Sequence, residues 1–234
     1  MKSKSLVLPV LVSLLAAGSV SATTLNLRHE YIPRQDTDAD RIEISNRFDN
    51  GIGFSVEAKW GHENNRMLTD TYAKGHEVGI SYRYKYSDKL AFYPAFKMDS
   101  GSSAVTYKAE VKGDYKFTQK FDMALRYRYG LKVYSDHTLN KGDQPYHQLN
   151  WTGHYKLSWG KVGFDMEFKK YPSNRKVWKG HDTDHLINFT GEYDKFKSGW
   201  KPFGEIGFVT AKSDNAQYKD RHDLRLRVGV KYNF

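Results

Sequence analysis

The sequence predicts an all-β protein, a closed 12-stranded antiparallel transmembrane β-barrel with short periplasmic turns and longer extracellular loops. Three observations carry that prediction. Apolar and polar residues alternate along most of the chain, short and long joins alternate between these runs, and one parity of every run carries no charge. The 234 residues are enough for one domain with its own core. Yet the chain is polar, with a mean hydropathy of −0.74, while 15% of its residues are aromatic. Thirty-seven Lys and Arg against 27 Asp and Glu give a net charge of +10, which favours acidic partners. Cysteine is absent, which excludes disulfide scaffolds, cysteine-based zinc sites and cysteine nucleophiles.

The first element is a targeting segment. Lys2 and Lys4 precede an apolar stretch over 6–17, and Gly18, Ser19, Val20, Ser21 and Ala22 follow it. A charged start, a short apolar centre and small residues at the end describe a secretory signal peptide cleaved after Ala22. The stretch is too short for a membrane-spanning helix. Residues 1–22 are therefore set apart, and 23–234 form a single barrel domain outside the cytoplasm.

Twelve alternating runs follow, over 24–31, 41–48, 52–60, 77–86, 90–98, 104–115, 121–134, 148–157, 162–169, 185–193, 200–210 and 223–234. In the third, Ile52, Phe54, Val56, Ala58 and Trp60 oppose Gly53, Ser55, Glu57 and Lys59. Tight joins over 49–51, 87–89, 117–120, 158–161 and 194–199 alternate with polar joins over 32–40, 61–76, 135–147, 170–184 and 211–222, and 99–103 is the one brief member of the second set. This is the pattern of an antiparallel meander closed on itself. An even strand number puts both termini on the short-turn side.

The apolar parity decides where such a barrel resides. None of its positions in the twelve runs is Lys, Arg, Asp or Glu, whereas 27% of the chain is charged. A soluble barrel is apolar inside and polar outside; here an apolar exterior calls for lipid and a polar interior calls for water. Aromatic clusters near run ends (Tyr82, Tyr84, Tyr86, Trp60, Trp200, Tyr232) suit interfacial girdles. The last run ends on Phe234, a terminus suited to recognition by outer-membrane assembly machinery. Pro94 removes a ladder donor, so it is expected near a barrel end or at a bulge. Asn46 and His29, polar on the apolar face, are expected near the rims.

Catalytic and metal motifs are weak. His181, Asp182, Asp184 and His185 resemble a metal or acid–base cluster, but a solvated loop explains them equally well. Asp36, Asp38 and Asp40 begin like a calcium loop, yet Arg41 and Arg47 occupy positions that need Gly and Glu. No Gly-x-Ser-x-Gly occurs, so a membrane lipase or protease has no positive support. Basic residues interleaved with aromatics also suit nucleic acid, but strict parity and export argue against it. No cofactor is implied.

What remains is the lumen. The inward parity holds Arg28, Arg41, Arg47, Arg83, Lys97, Lys108, Arg126, Arg128, Lys132, Arg225 and Arg227, with Gly53, Gly79, Ala95 and Gly163 among the small residues between them. Twelve strands leave a narrow pore, and arginine's planar fork suits carboxylates. Inward acids such as Glu30, Glu43, Glu57, Glu110, Asp165, Glu167 and Glu205 offer the alternative that these bases are structural pairs. The basic excess points to an anion-selective diffusion channel without enzymatic activity.

Five stretches carry a family resemblance: Leu27 to Glu30, Asp40 to Phe54, Ala124 to Tyr129, Trp200 to Phe203 and Arg225 to Val230. Together they resemble the oligogalacturonate-specific porins. The resemblance implies a monomeric twelve-stranded outer-membrane porin with basic tracks along a narrow lumen, passing acidic oligosaccharides from pectin; relatives pass sialic acid. Arg28, Arg41, Arg47, Arg126, Arg128, Arg225 and Arg227 occupy matching positions. After Arg128 the chain reads Tyr129, Gly130, Leu131, Lys132, Val133, Tyr134, less basic than family members there.

Overall fold

The computed structural model describes residues 23–62, 70–135, 142–172, 181–210 and 222–234; the signal segment lies outside them. Thirteen β-segments follow in chain order: β1 (Thr24–Ile32), β2 (Thr37–Arg47), β3 (Ile52–His62), β4 (Thr71–Tyr82), β5 (Tyr84–Lys85), β6 (Leu90–Ser100) and β7 (Ala104–Lys116), then β8 (Phe121–Tyr134), β9 (Gln144–Lys156), β10 (Gly160–Lys170), β11 (Thr183–Tyr193), β12 (Trp200–Thr210) and β13 (His222–Asn233). Each pairs antiparallel with its chain neighbours, β1 pairs with β13, and β4 pairs with β6. The short β5 prolongs β4 beyond Arg83, so the thirteen segments make twelve staves of a closed barrel. Closure matters in lipid, where an open sheet edge would leave backbone groups without partners.

The barrel is inside-out. Val78, Ile80, Phe96, Leu125, Trp151, Phe168, Phe189, Ile206 and Val228 are exposed on the outer wall. The most buried side chains are Gln148, Asn150 and Asp223, and Glu57, Lys108 and Arg225 are buried with them. Alternation thus places charge where water or a partner charge can meet it and hydrocarbon where lipid does. At the short-turn end Trp200 packs against Tyr232 with tilted rings (4.8 Å), and Tyr232 meets Phe234 edge to face (4.9 Å). There the Phe234 amide donates to the Thr23 carbonyl at 2.9 Å, so both described ends meet on that side.

Several strands outrun their alternating cores. The expected polar join over 32–40 is in fact a tight turn over 33–36, because β2 starts at Thr37. Asp36 closes that turn with φ 47°, a left-handed conformation that Asp tolerates better than most residues. β4 likewise starts at Thr71 and β9 at Gln144, within stretches read as joins. A register shift at Lys59/Trp60 opposite Gly75 (φ 136°) carries β4 through a bulge.

Pro94 proves informative. β4 pairs with β6 down to Ser81–Ala95, and pairing resumes only at Tyr84–Phe92. The gap therefore covers Tyr82 and Arg83, and the register puts Pro94, which has no donor, opposite Tyr82 and Tyr93 opposite Arg83. No bulge forms in β6, which keeps its register with β7 through Pro94–Val111. The Arg83 amide turns the other way and donates to Gly51 O at 2.8 Å. Asn46 and His29 also find partners on the outer face. Asn46 Nδ2 donates to Thr23 Oγ1 at 2.8 Å, and His29 Nδ1 lies 2.8 Å from Asp40 Oδ1.

Candidate functional site

Sheet order sets which walls face each other. With β2, β3, β4, β6 and β7 between them on one side and β9 to β13 on the other, β1 and β8 stand on opposite sides of the lumen. Arg28 projects from β1; Arg126 and Arg128 project from β8. Arg225 and Arg227 on β13 flank Arg28, and Lys108 and Lys112 on β7 flank the β8 pair. The inward basic residues thus form two opposed walls.

Most of this charge is compensated. A chain of alternating sign runs Glu43, Arg41, Glu57, Lys59, Asp99, Lys108, Glu77, Lys97, with successive contacts of 3.4, 2.5, 3.1, 3.4, 2.9, 2.7 and 3.0 Å. Arg128 holds Glu110 at 2.6 Å and reaches Gln148 Oε1 at 3.4 Å. Arg227 bridges Glu30 (2.6 Å) and Glu205 (3.1 Å). Arg225 donates to Asn188 Oδ1 at 2.7 Å and lies 3.8 Å from Glu30. For Arg41, Lys97, Lys108, Arg128, Arg225 and Arg227, structural pairing is what the geometry displays.

The other candidate residues separate by position. Arg28 and Arg126 make no ion pair among the described residues, and the Nε of each is buried without a hydrogen-bond partner. Arg28 pairs in register with another cation, Arg41, and on its other side with Gly229. Arg126 has Lys112 and the neutral Asn150 as register neighbours. Arg47 donates to Gly51 O (2.7 Å) and Ser81 Oγ (2.9 Å) at the short-turn end. Gly53 makes room for that side chain, since a Cβ there would sit 2.9 Å from Arg47 Nη2. Arg83, in the strand break, is exposed at the same end, beyond the enclosed lumen. Lys132 lies over the Tyr134 ring (4.8 Å) at the opposite end.

Cavities lie in both halves of the lumen. A cavity of about 470 Å³ fills the short-turn half, and one of about 190 Å³ the long-loop half. Between them Gln148 Nε2 donates to Asn150 Oδ1 (2.7 Å), and Asn150 Nδ2 donates to Glu167 Oε2 (3.1 Å). At the outer mouth Gln35 Nε2 donates to the buried Asp223 at 2.7 Å, and Arg34 pairs with it at 3.1 Å, so the β1–β2 turn leans onto β13. Gln148, Asn150, Glu77 and Asp99 escaped the sequence reading. Asp99 fell in a stretch read as a join, and the neutral amides carry no charge signal.

The His181–His185 group disperses. Asp182 pairs with Lys170 at 2.6 Å, His185 contacts His222, and Asp184 faces Lys169 in register. Among the described residues no group of three or more His, Asp or Glu is placed to hold a metal ion.

Comparison with known proteins extends this geometry. Residues 16–234 match the family model described as oligogalacturonate-specific porin protein (KdgM). The chain is 32% identical, over the full length of both, to the oligogalacturonate-specific porin KdgM of Dickeya dadantii (strain 3937). It belongs to the oligogalacturonate-specific porin family. A solved structure of the KdgM porin in complex with disordered oligogalacturonate superposes with a TM-score of 0.67 at 30% identity, covering 90% of this chain and 99% of the other. The NanC porin superposes with a TM-score of 0.76 over 90% of this chain and all of that one; at 17% identity it speaks for the fold alone. Like its family, this barrel is an outer-membrane protein, with its short turns periplasmic and its longer loops extracellular.

Proposed function

We propose that this porin is an anion-selective passive diffusion channel for acidic oligosaccharides, oligogalacturonates foremost, and not an enzyme. The observation that carries the reading is the pair of uncompensated guanidiniums, Arg28 and Arg126, on opposite walls of a lumen whose other bases are largely neutralised. A desolvated cation without a counter-ion attracts anions strongly, and field lines concentrate between low-dielectric walls. Arginine stays protonated and offers two parallel donors to a carboxylate. A linear polyanion carries a carboxylate on successive sugars, so it can exchange contacts between the two walls as it moves. Each contact guides without trapping because water competes for it. The family name and the oligogalacturonate in the KdgM complex support the same solute.

The rest of the reading follows the sequence. Residues 1–22 are removed on export, the barrel works as a monomer among outer-membrane lipids, and Phe234 addresses the chain to the assembly machinery. Planar-bilayer recording in a salt gradient tests the central claim. Reversal potentials should show anion preference, and trigalacturonate should interrupt the current where a neutral trisaccharide does not. Cation preference in the wild-type channel would overturn the reading.

A further inference from the structure

The larger lumen cavity has the makings of a binding subsite, beyond its place on a conduction path. Its volume of about 470 Å³ falls within the roughly 300–1,000 Å³ common for small-molecule sites. One side is a recess of small residues on three adjacent staves. Gly53, Ser81 and Ala95 form one register row across β3, β4 and β6, and Ser55 and Gly79 form the next. Gly79 has no room for a side chain, since a Cβ would lie 2.7 Å from Ser55 Oγ. Ser55 Oγ and the Lys97 stem lie over Gly79, and Ser81 Oγ and the Arg47 guanidinium over Gly53, so this side presents hydroxyls flanked by cations.

The adjoining side, which shares β6 with the recess, carries the cations. Tyr93, Lys112 and Arg126 make one register row across β6, β7 and β8. The Tyr93 ring holds Lys112 Nζ at 4.5 Å and the Arg47 guanidinium at 5.2 Å, each by cation–π attraction. Arg126 lines the same cavity with its buried Nε unpartnered. A buried donor without an acceptor is costly, and a bound carboxylate would relieve it. Glu43, Glu110 and Asp114 also line the space, paired with Arg41, Arg128 and Lys112. Carboxylates accept hydrogen bonds from hydroxyls and repel a small inorganic anion. Cations, serine hydroxyls and acceptor carboxylates around one space match a polyhydroxylated acid better than phosphate.

We infer that the periplasmic half of the lumen holds a subsite for a single acidic sugar residue, with its carboxylate on Arg126 and its ring hydroxyls toward the Ser55 and Ser81 recess. The inference rests on the channel reading above and adds a place where the solute pauses before release. Single-channel current noise measures it with galacturonate monomer, galactose and inorganic phosphate as probes. Galacturonate should interrupt the current saturably, and galactose and phosphate should need at least tenfold higher concentrations. Ala95→Leu, which fills the recess without touching a charge, should weaken galacturonate at least fivefold; Ala95→Val should weaken it less. Heat-modifiable migration of both variants confirms that the barrels are folded. Equal galacturonate affinity in wild type and a folded Ala95→Leu would overturn the subsite, as would phosphate binding as well as galacturonate. Those outcomes leave anion preference in a salt gradient intact, so loss of the subsite is distinguishable from loss of the channel reading.

Discussion

Two regions of the lumen carry the same kind of charge and use it differently. On the β2–β7 side, Arg41, Lys59, Lys108 and Lys97 interleave with Glu43, Glu57, Asp99 and Glu77 in one continuous chain of ion pairs. Arg28 on β1 and Arg126 on β8 form no ion pair among the described residues, and the Nε of each is buried without a hydrogen-bond partner. The first region is neutral overall and ties five staves together from inside. The second leaves two positive charges to whatever enters. Inward parity alone therefore does not separate a paired charge from an unpaired one; contacts across staves do.

The sharpest way to break this contrast is at Lys108, which is buried and holds Glu77 and Asp99 together. Lys108→Met takes from the half-buried Glu77 and Asp99 the partner they share, leaving them Lys97 and Lys59; removing one member of a fully buried ion pair costs about 3–5 kcal/mol, an upper bound for this site. The unfolding midpoint in urea, read by loss of heat-modifiable migration in detergent or lipid, should fall clearly. A midpoint like that of wild type would mean that the chain is ornamental. Arg28→Glu combined with Arg126→Glu should do the reverse, sparing the fold and lowering the anion-to-cation permeability ratio by on the order of tenfold. If the double variant keeps wild-type selectivity, the neutralised wall is where solutes are sensed.

Ionic strength sharpens the comparison with no substitution at all. The Debye length shrinks from about 10 Å at 0.1 M to about 3 Å at 1 M, and paired charges have little field left to screen. The anion preference should fall toward the free-solution mobility ratio between those salts, while the unfolding midpoint shifts little. The smallest effect is expected at Lys132, toward the outer mouth over Tyr134. Lys132→Gln should change stability by no more than about 0.5 kcal/mol and selectivity only slightly, measured in the same two assays.

The outer wall was legible in the sequence because lipid imposes a strict parity, and all twelve alternating runs are strands. The strand ends were not, because alternation reports contact with lipid and not pairing as such. Beyond the bilayer water wets both faces, so Thr37, Thr71 and Gln144 begin strands with no apolar partner position to announce them. The basic lumen was legible as well, but its division into paired and unpaired charges was not. That division depends on register and on side chains reaching across staves: Lys108 takes its partners from β4 and β6, 31 and 9 residues away in sequence. Asn188 shows the same limit, since nothing in its own neighbourhood says that Arg225 will reach it from β13.

The interruption over Tyr82 and Arg83, across from Pro94 and Tyr93, gives this cylinder a preferred place to breathe. Termini are usually the suspect joint of a barrel, yet here β1 and β13 are laddered from Thr24–Asn233 to Tyr31–Leu226. The joint between β4 and β6 instead lacks rungs near the periplasmic rim, where one amide is missing by covalent chemistry and the Arg83 amide across the gap points into the adjoining turn. Proton traffic between backbone and solvent should start there and spread upward. It should reach the Ser81–Ala95 rung before it reaches any rung that seals the two chain ends.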